Sequence, residues 1–168
     1  DINTIPLWSY FTFTQNFLMA QNKHFSGPWM DVTWSLAVEE QFYIFLAFLI
    51  RMLDKSKVWI VAIGLIFLAP IVRLLTAAPI AGYILPLQRA DTLMLGVLLA
   101  LIWQNEIARE FVRKYAIVFQ VAFWVLLAGT AVMTYKKLPY GDAFSHLYLA
   151  FLYLDFVILA LIFDGGKA

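Results

Sequence analysis

The chain contains no cysteine. That excludes a disulfide framework, a thiolate nucleophile and a cysteine-built zinc site. Histidine is almost as scarce: His24 and His146 lie far apart, which argues against a histidine-built metal centre. Charge is sparse as well. Asp, Glu, Lys and Arg make up 14% of the residues and sum to a net charge of +1. Nucleic-acid binding wants a basic face, and this balance supplies none. What fills the chain instead is apolar sequence, 63% of 168 residues, against about 45–50% in a soluble domain. Mean hydropathy is +0.80. A core of this size cannot bury so much apolar surface, so the chain reads as membrane-embedded, with the lipid bilayer as its first partner.

The N-terminal Asp1-Ile2-Asn3-Thr4 leads straight into apolar sequence. It has no basic region or small-residue cleavage site in order, so it does not read as a signal peptide. The last apolar stretch stops at Asp164-Gly165-Gly166-Lys167-Ala168. Both ends read as cut, and residues 1–168 as part of a larger integral-membrane domain.

A bilayer-crossing helix takes about 20 mostly apolar residues. Five or six such segments can be read, which predicts an all-α, polytopic transmembrane helix bundle. The first runs from Ile5 to Ala20, though Thr12, Thr14, Gln15 and Asn16 make it polar for a span. The second runs from Thr33 to Leu53, and the third from Val58 to Leu75, where Pro70 is expected to kink it. The fourth, Asp91 to Trp103, is short unless it starts earlier, behind Pro86. The fifth, Tyr115 to Tyr135, carries no charge, and the sixth, Phe144 to Phe163, is interrupted by Asp155. Strands are excluded because the apolar runs are long and do not alternate. No internal repeat, low-complexity stretch or soluble domain is visible. The longest polar connections are Gln21–Asp31 and Gln104–Lys114.

Basic residues set the expected orientation. Arg51, Lys55, Lys57, Arg109, Arg113, Lys114 and Lys167 fall on one side. Lys23, Arg73, Arg89, Lys136 and Lys137 fall on the other. The excess is small and puts the first group in the cytoplasm. Trp8, Trp29, Trp34, Trp59 and Trp103 stand at segment ends, as interfacial aromatics do.

The informative residues are the polar ones inside apolar segments. A charge at mid-span costs about 2.5–3.5 kcal/mol on insertion scales, so it usually faces protein or a wet cavity. Glu39 and Glu40 are neighbours, 100° apart on a helix, and cannot share a face. Glu39 aligns with Ser35 and Tyr43, and Glu40 lies beside Tyr43. One carboxylate is a candidate for a cavity and the other for a basic partner. The plainer alternative is that both answer the dipole near a helix N-terminus. Asp91 reads as an N-cap or first-turn acid of the fourth helix. Arg89 reads either as a partner for a carboxylate of the second helix or as a snorkelling anchor. Gln15 and Asn16 either line the cavity beside Glu39 or hold helices together. Asp155, inside the sixth segment, is a functional-site candidate by default. His146 reads as interfacial and His24 as a solvated loop residue.

Three stretches together resemble a known family. Thr33-Trp34-Ser35-Leu36-Ala37-Val38-Glu39-Glu40-Gln41-Phe42-Tyr43 closely resembles the signature run of the membrane acyltransferase 3 family, which includes O-antigen and peptidoglycan O-acetyltransferases. Phe11-Thr12-Phe13-Thr14-Gln15-Asn16-Phe17 resembles the stretch just upstream of it. Arg89-Ala90-Asp91 with Gly96 and Ala100 resembles a later Arg-x-Asp…Gly…Ala pattern. The resemblance is sharp over residues 11–45 and 85–100 and diffuse elsewhere.

The resemblance implies an enzyme of the bacterial inner membrane with about ten transmembrane helices. It would take an acyl group, acetyl above all, from acyl-CoA as donor substrate, with no tightly bound cofactor. The acceptor would be a hydroxyl of a cell-envelope glycan or a related molecule. The family's catalytic His and Arg-x-x-Arg motif lie upstream of the matching residues, and this sequence shows neither: His24 is not in the family's position, and Arg109 and Arg113 are four apart. The chain taken alone is therefore expected to be inactive. In the full-length enzyme a His would take the acceptor proton as its oxygen attacks the thioester. Glu39 and Glu40 are the candidate catalytic carboxylates, Glu40 ahead. Asn16, Gln41, Tyr43, Arg89 and Asp91 are the candidate substrate-binding and shaping residues, with Arg89 paired to Asp91 or to a carboxylate of the second helix. The competing reading is a non-enzymatic transporter or structural bundle with intramembrane carboxylates.

Overall fold

The computed structural model describes residues 5–25, 29–76, 79–136 and 141–164. The terminal stretches, together with Lys137 and Lys167 of the orientation argument, lie outside the described residues. Among the described residues there are helices and no strand. In chain order they are α1 (Leu7–Phe11), α2 (Gln15–Asn22), α3 (Thr33–Met52), α4 (Lys55–Thr76), α5 (Pro79–Ile84), α6 (Pro86–Trp103), α7 (Glu106–Lys114), α8 (Ala116–Lys136) and α9 (Gly141–Phe163).

Among the described residues five stretches are long and apolar enough to cross a bilayer: Thr33–Met52, Ser56–Thr76, Ile80–Trp103, Ala116–Tyr135 and Phe144–Phe163. The chain is thus an all-α bundle with five candidate spans, and three details of the sequence reading change. The segment from Ile5 to Ala20 is not a span. It breaks between α1 and α2, where Phe13 takes a left-handed φ of 53°. Thr12 causes much of this: its hydroxyl donates to the carbonyls of Trp8 and Ser9 and bonds the Thr14 hydroxyl at 2.8 Å. Such local bonds compete with helix continuation. The remaining helices, of 5 and 8 residues, rise about 1.5 Å per residue and fall well short of a bilayer core of about 30 Å.

The fourth span does start earlier than Asp91. α5 leads through Leu85 into α6, whose first residue is Pro86, a position where the missing N–H is not needed. α4 runs on through Pro70 without ending there. The third change is Gln104–Lys114, which is not an irregular connection but contains α7. Asn105 caps that helix, its Oδ1 accepting from the Ala108 N–H at 3.2 Å. Glu106 stands in the first turn, and Arg113 and Lys114 in the last, each sign matching the dipole end it occupies.

The chain divides into two compact units, Asp1–Leu93 and Met94–Ala168, with the boundary inside α6. In the first, α2 packs on α3 and α5. Ile5, Met19 and Ile84 are buried together, flanked by Tyr10, Phe25 and Trp34. In the second, α8 and α9 form an antiparallel hairpin. Leu99, Val112 and Ile158 form its core with Phe119 and Leu161. Gly129 lets the hairpin close. The Tyr148 hydroxyl donates to the Leu126 carbonyl at 2.5 Å, and a Cβ on Gly129 would lie 2.1 Å from that hydroxyl oxygen.

Candidate functional site

The polar residues of the first unit converge because α2 is held between α3 and α5. Asn16 and Gln41 form a reciprocal amide pair: Asn16 Nδ2 donates to Gln41 Oε1 at 3.1 Å, and Gln41 Nε2 donates to Asn16 Oδ1 at 3.0 Å. Gln41 Nε2 also donates to the Phe13 carbonyl exposed by the helix break, and Asn16 Nδ2 to the Ile84 carbonyl at 3.3 Å. Gln15 donates to the Thr33 carbonyl at 2.9 Å. Its Oε1 is buried with no hydrogen-bond partner among the described residues. Both readings of Gln15 and Asn16 had them among helices, and gluing is what their bonds do.

The same unit holds a buried ion pair. Arg73 of α4 grips Asp91 of α6 in a two-pronged contact, Nη2 to Oδ2 at 2.5 Å and Nη1 to Oδ1 at 3.1 Å. The two side chains are 3% and 0% exposed. Arg73 also donates to the Gln88 carbonyl. Planar guanidinium and carboxylate match each other in this geometry, which offsets part of the cost of burying both charges. Two expectations are corrected here. Asp91 is not a cap or first-turn acid, because α6 begins at Pro86 and has no acid in its first turn. Its carboxylate is taken up by Arg73 rather than by Arg89. Arg73 had been counted only as a loop charge. The signal was its place in Ile71-Val72-Arg73-Leu74-Leu75, where a cation inside apolar sequence demands a partner.

Arg89 lies over two aromatic rings, with its guanidinium carbon 5.7 Å from the Trp34 centroid and 5.4 Å from that of Tyr83. Those rings are 4.7 Å apart and tilted. A cation over aromatic faces gains about 0.5–2 kcal/mol, more as it is desolvated. Arg89 is half-buried here, so snorkelling to open water is not its whole role.

α3 presents its residues unequally. Trp34, Ala37, Val38 and Gln41 follow the 3.6-residue repeat on the packed side. Glu40 lies on its flank and is half-buried. Glu39 and Tyr43 lie on the other side and are exposed. Neither carboxylate has a hydrogen-bond or ion-pair partner among the described residues. The structure thus joins Asn16 and Gln41 directly, brings Arg89 onto Trp34, and ties Asp91 to Arg73. It leaves Glu39, Glu40 and Tyr43 outside these contacts.

In the second unit Asp155 is 6% exposed, and its Oδ2 has no hydrogen-bond partner among the described residues. His24, in its loop, donates from Nδ1 to the Phe25 carbonyl at 2.7 Å. The chain matches no protein-family model, no curated protein and no solved structure.

Proposed function

We propose that the chain belongs to an integral-membrane O-acyltransferase of the bacterial inner membrane. It would move an acyl group, acetyl above all, from acyl-CoA to a hydroxyl of a cell-envelope glycan or related acceptor. One observation carries the reading. The three stretches that resemble membrane acyltransferase 3 are far apart in sequence, and they touch one another: Gln41 bonds Asn16 and the Phe13 carbonyl, and Arg89 lies over Trp34.

In the proposed reaction the acceptor oxygen attacks the thioester carbonyl of acyl-CoA. The C–O bond forms, the C–S bond breaks, and a base takes the hydroxyl proton while the thiol leaves. The base is a His of the full-length enzyme, as the resemblance implies. Glu40 orients that base or holds acceptor hydroxyls, and its half-buried place beside the packed face of α3 favours it over the exposed Glu39. The Asn16–Gln41 pair and the Arg73–Asp91 pair keep α2, α3, α4 and α6 in register around it. The orientation argument also strengthens. Arg51, Arg73 and Arg89 lie within spans, and Arg73 is buried in a pair, so none of them counts as a loop charge. Six cations then face three, which supports Glu106–Lys114 on the cytoplasmic side.

The test is single replacement of Glu39, Glu40 and Arg89 by Ala in the full-length protein, with O-acylation as readout. Glu40→Ala is expected to lose the most activity; full activity in all three sinks the assignment. A transporter is the second reading, favoured by Asp155 inside a span, whose buried Oδ2 has no hydrogen-bond partner among the described residues. It predicts ion-coupled uptake into vesicles that Asp155→Asn abolishes.

A further inference from the structure

We infer that α7 is an in-plane membrane helix, seated at the boundary between acyl chains and anionic headgroups. The argument starts from connectivity. α6 ends its span at Trp103 and α8 begins the next at Ala116, so the 12 residues between them are held at one membrane surface. Nine of these residues form α7.

The helix has three distinct sides. Val112 is buried and packs with Leu99 and Ile158, which fixes one side against the second unit's core. Ile107 and Phe111, four residues apart on the adjoining row, are 80% and 62% exposed. Two large apolar side chains in one row on an otherwise charged helix have no reason to face water. Glu106 and Glu110 form the next row round, followed by Arg109 and Arg113, which close the circle beside Val112. A helix lying in the interface beside a bundle needs this order: one side on protein, one on lipid chains, one toward water.

Charge selects the occupant. The last turn carries Arg113 and Lys114, one turn beyond Arg109, while the acids Glu106 and Glu110 stand nearer the start. Lys114 lies 5.9 Å over the ring of Tyr115, and Phe111 and Tyr115 are 4.6 Å apart. That end of the helix thus joins cations to interfacial aromatics, the combination that suits anionic phospholipid headgroups. Continuity with the spans on both sides makes the occupant the bilayer surface itself rather than a soluble protein.

The experiment uses full-length protein in nanodiscs of phosphatidylglycerol and phosphatidylethanolamine. Single cysteines at Ile107→Cys, Phe111→Cys and Glu110→Cys carry an environment-sensitive fluorophore. The first two are expected to be quenched by doxyl groups on shallow acyl-chain carbons and shielded from aqueous iodide, and Glu110→Cys the reverse. A diazirine lipid should also label the α7 peptide of the unaltered protein at Ile107 or Phe111. Iodide quenching at positions 107 and 111 equal to that at 110 overturns the proposal. So does shielding from both quenchers, which would mean a protein partner covers that row, and so does an unlabelled α7 among labelled spans.

Discussion

The two units of the chain solve the same problem with different chemistry. In Asp1–Leu93, helices are joined by polar groups: an amide pair between α2 and α3, a guanidinium–carboxylate pair between α4 and α6, and an Arg over two rings. In Met94–Ala168 the joints among the described residues are mainly shape, with the Tyr148–Leu126 hydrogen bond added to them. Gly129 makes room for Tyr148, Phe123 stacks near Phe156 at 6.1 Å, and Leu99, Val112 and Ile158 fill the centre. Lipid tails are as apolar as leucine, so burial alone gives spans little reason to associate. Either polar bonds or close packing must supply it, and each unit relies mainly on one. Polar joints fix register and leave hydrogen-bonding groups near each other, which is what a site needs. The first unit is accordingly where the candidate site lies.

The comparison can be broken most severely at Arg73. Arg73→Leu leaves Asp91 buried without its partner, and losing half of a buried pair costs about 3–5 kcal/mol. Thermal unfolding of the detergent-solubilised protein should show a large drop, and Arg73→Leu with Asp91→Leu should recover much of it. If the double variant is as damaged as the single one, the pair does more than hold α4 to α6. Next in size is the amide pair. Asn16→Ala strands part of the half-buried Gln41 amide, at about 1–3 kcal/mol or less, and should lower O-acylation as well as stability. Equal loss of stability with unchanged activity would separate the network from the site.

Shape is tested in the second unit. Gly129→Ala drives a methyl group into the Tyr148 hydroxyl and should cost about 1–3 kcal/mol by overpacking. Tyr148→Phe in the same chain should restore part of the loss, measured by the same melting curves. The smallest change is expected at Asp155. Its buried Oδ2 has no hydrogen-bond partner among the described residues for Asp155→Leu to take away, so stability should hold or rise. A marked destabilisation would show that Asp155 has a partner in the assembled protein, and would move the second unit toward the polar kind of joint.

The sequence made the long spans legible, because a run of some 20 apolar residues has few other uses. It was less readable where local chemistry competes with periodicity. Residues 5–20 lack charge throughout, yet the Thr12 hydroxyl and the φ of Phe13 break them into short helices. α7 was hidden by its polarity, although Ile107, Ala108, Phe111 and Val112 already carried helical spacing. For the site, the 100° step between residues was enough to separate Glu39 from Glu40, and α3 does expose one and half-bury the other. The partner of Asp91 was beyond reach. Arg73 is 18 residues away on another helix, while Arg89 stands two residues away. Proximity in sequence favoured the wrong arginine.

Composition and period therefore determined that this protein is helical and membrane-crossing, and where four of its five candidate spans begin and end to within a few residues. Both follow from the short-range cost of leaving backbone and apolar groups in the wrong solvent. The start of the remaining span, Ile80 rather than Asp91, and the break in residues 5–20 came only from the structure. Pairing was decided only by the tertiary structure. Which amide meets which, which arginine holds Asp91, and which carboxylate is left for other work depend on how α2 to α6 pack. Charges and amides reach across helices over distances that no local pattern encodes.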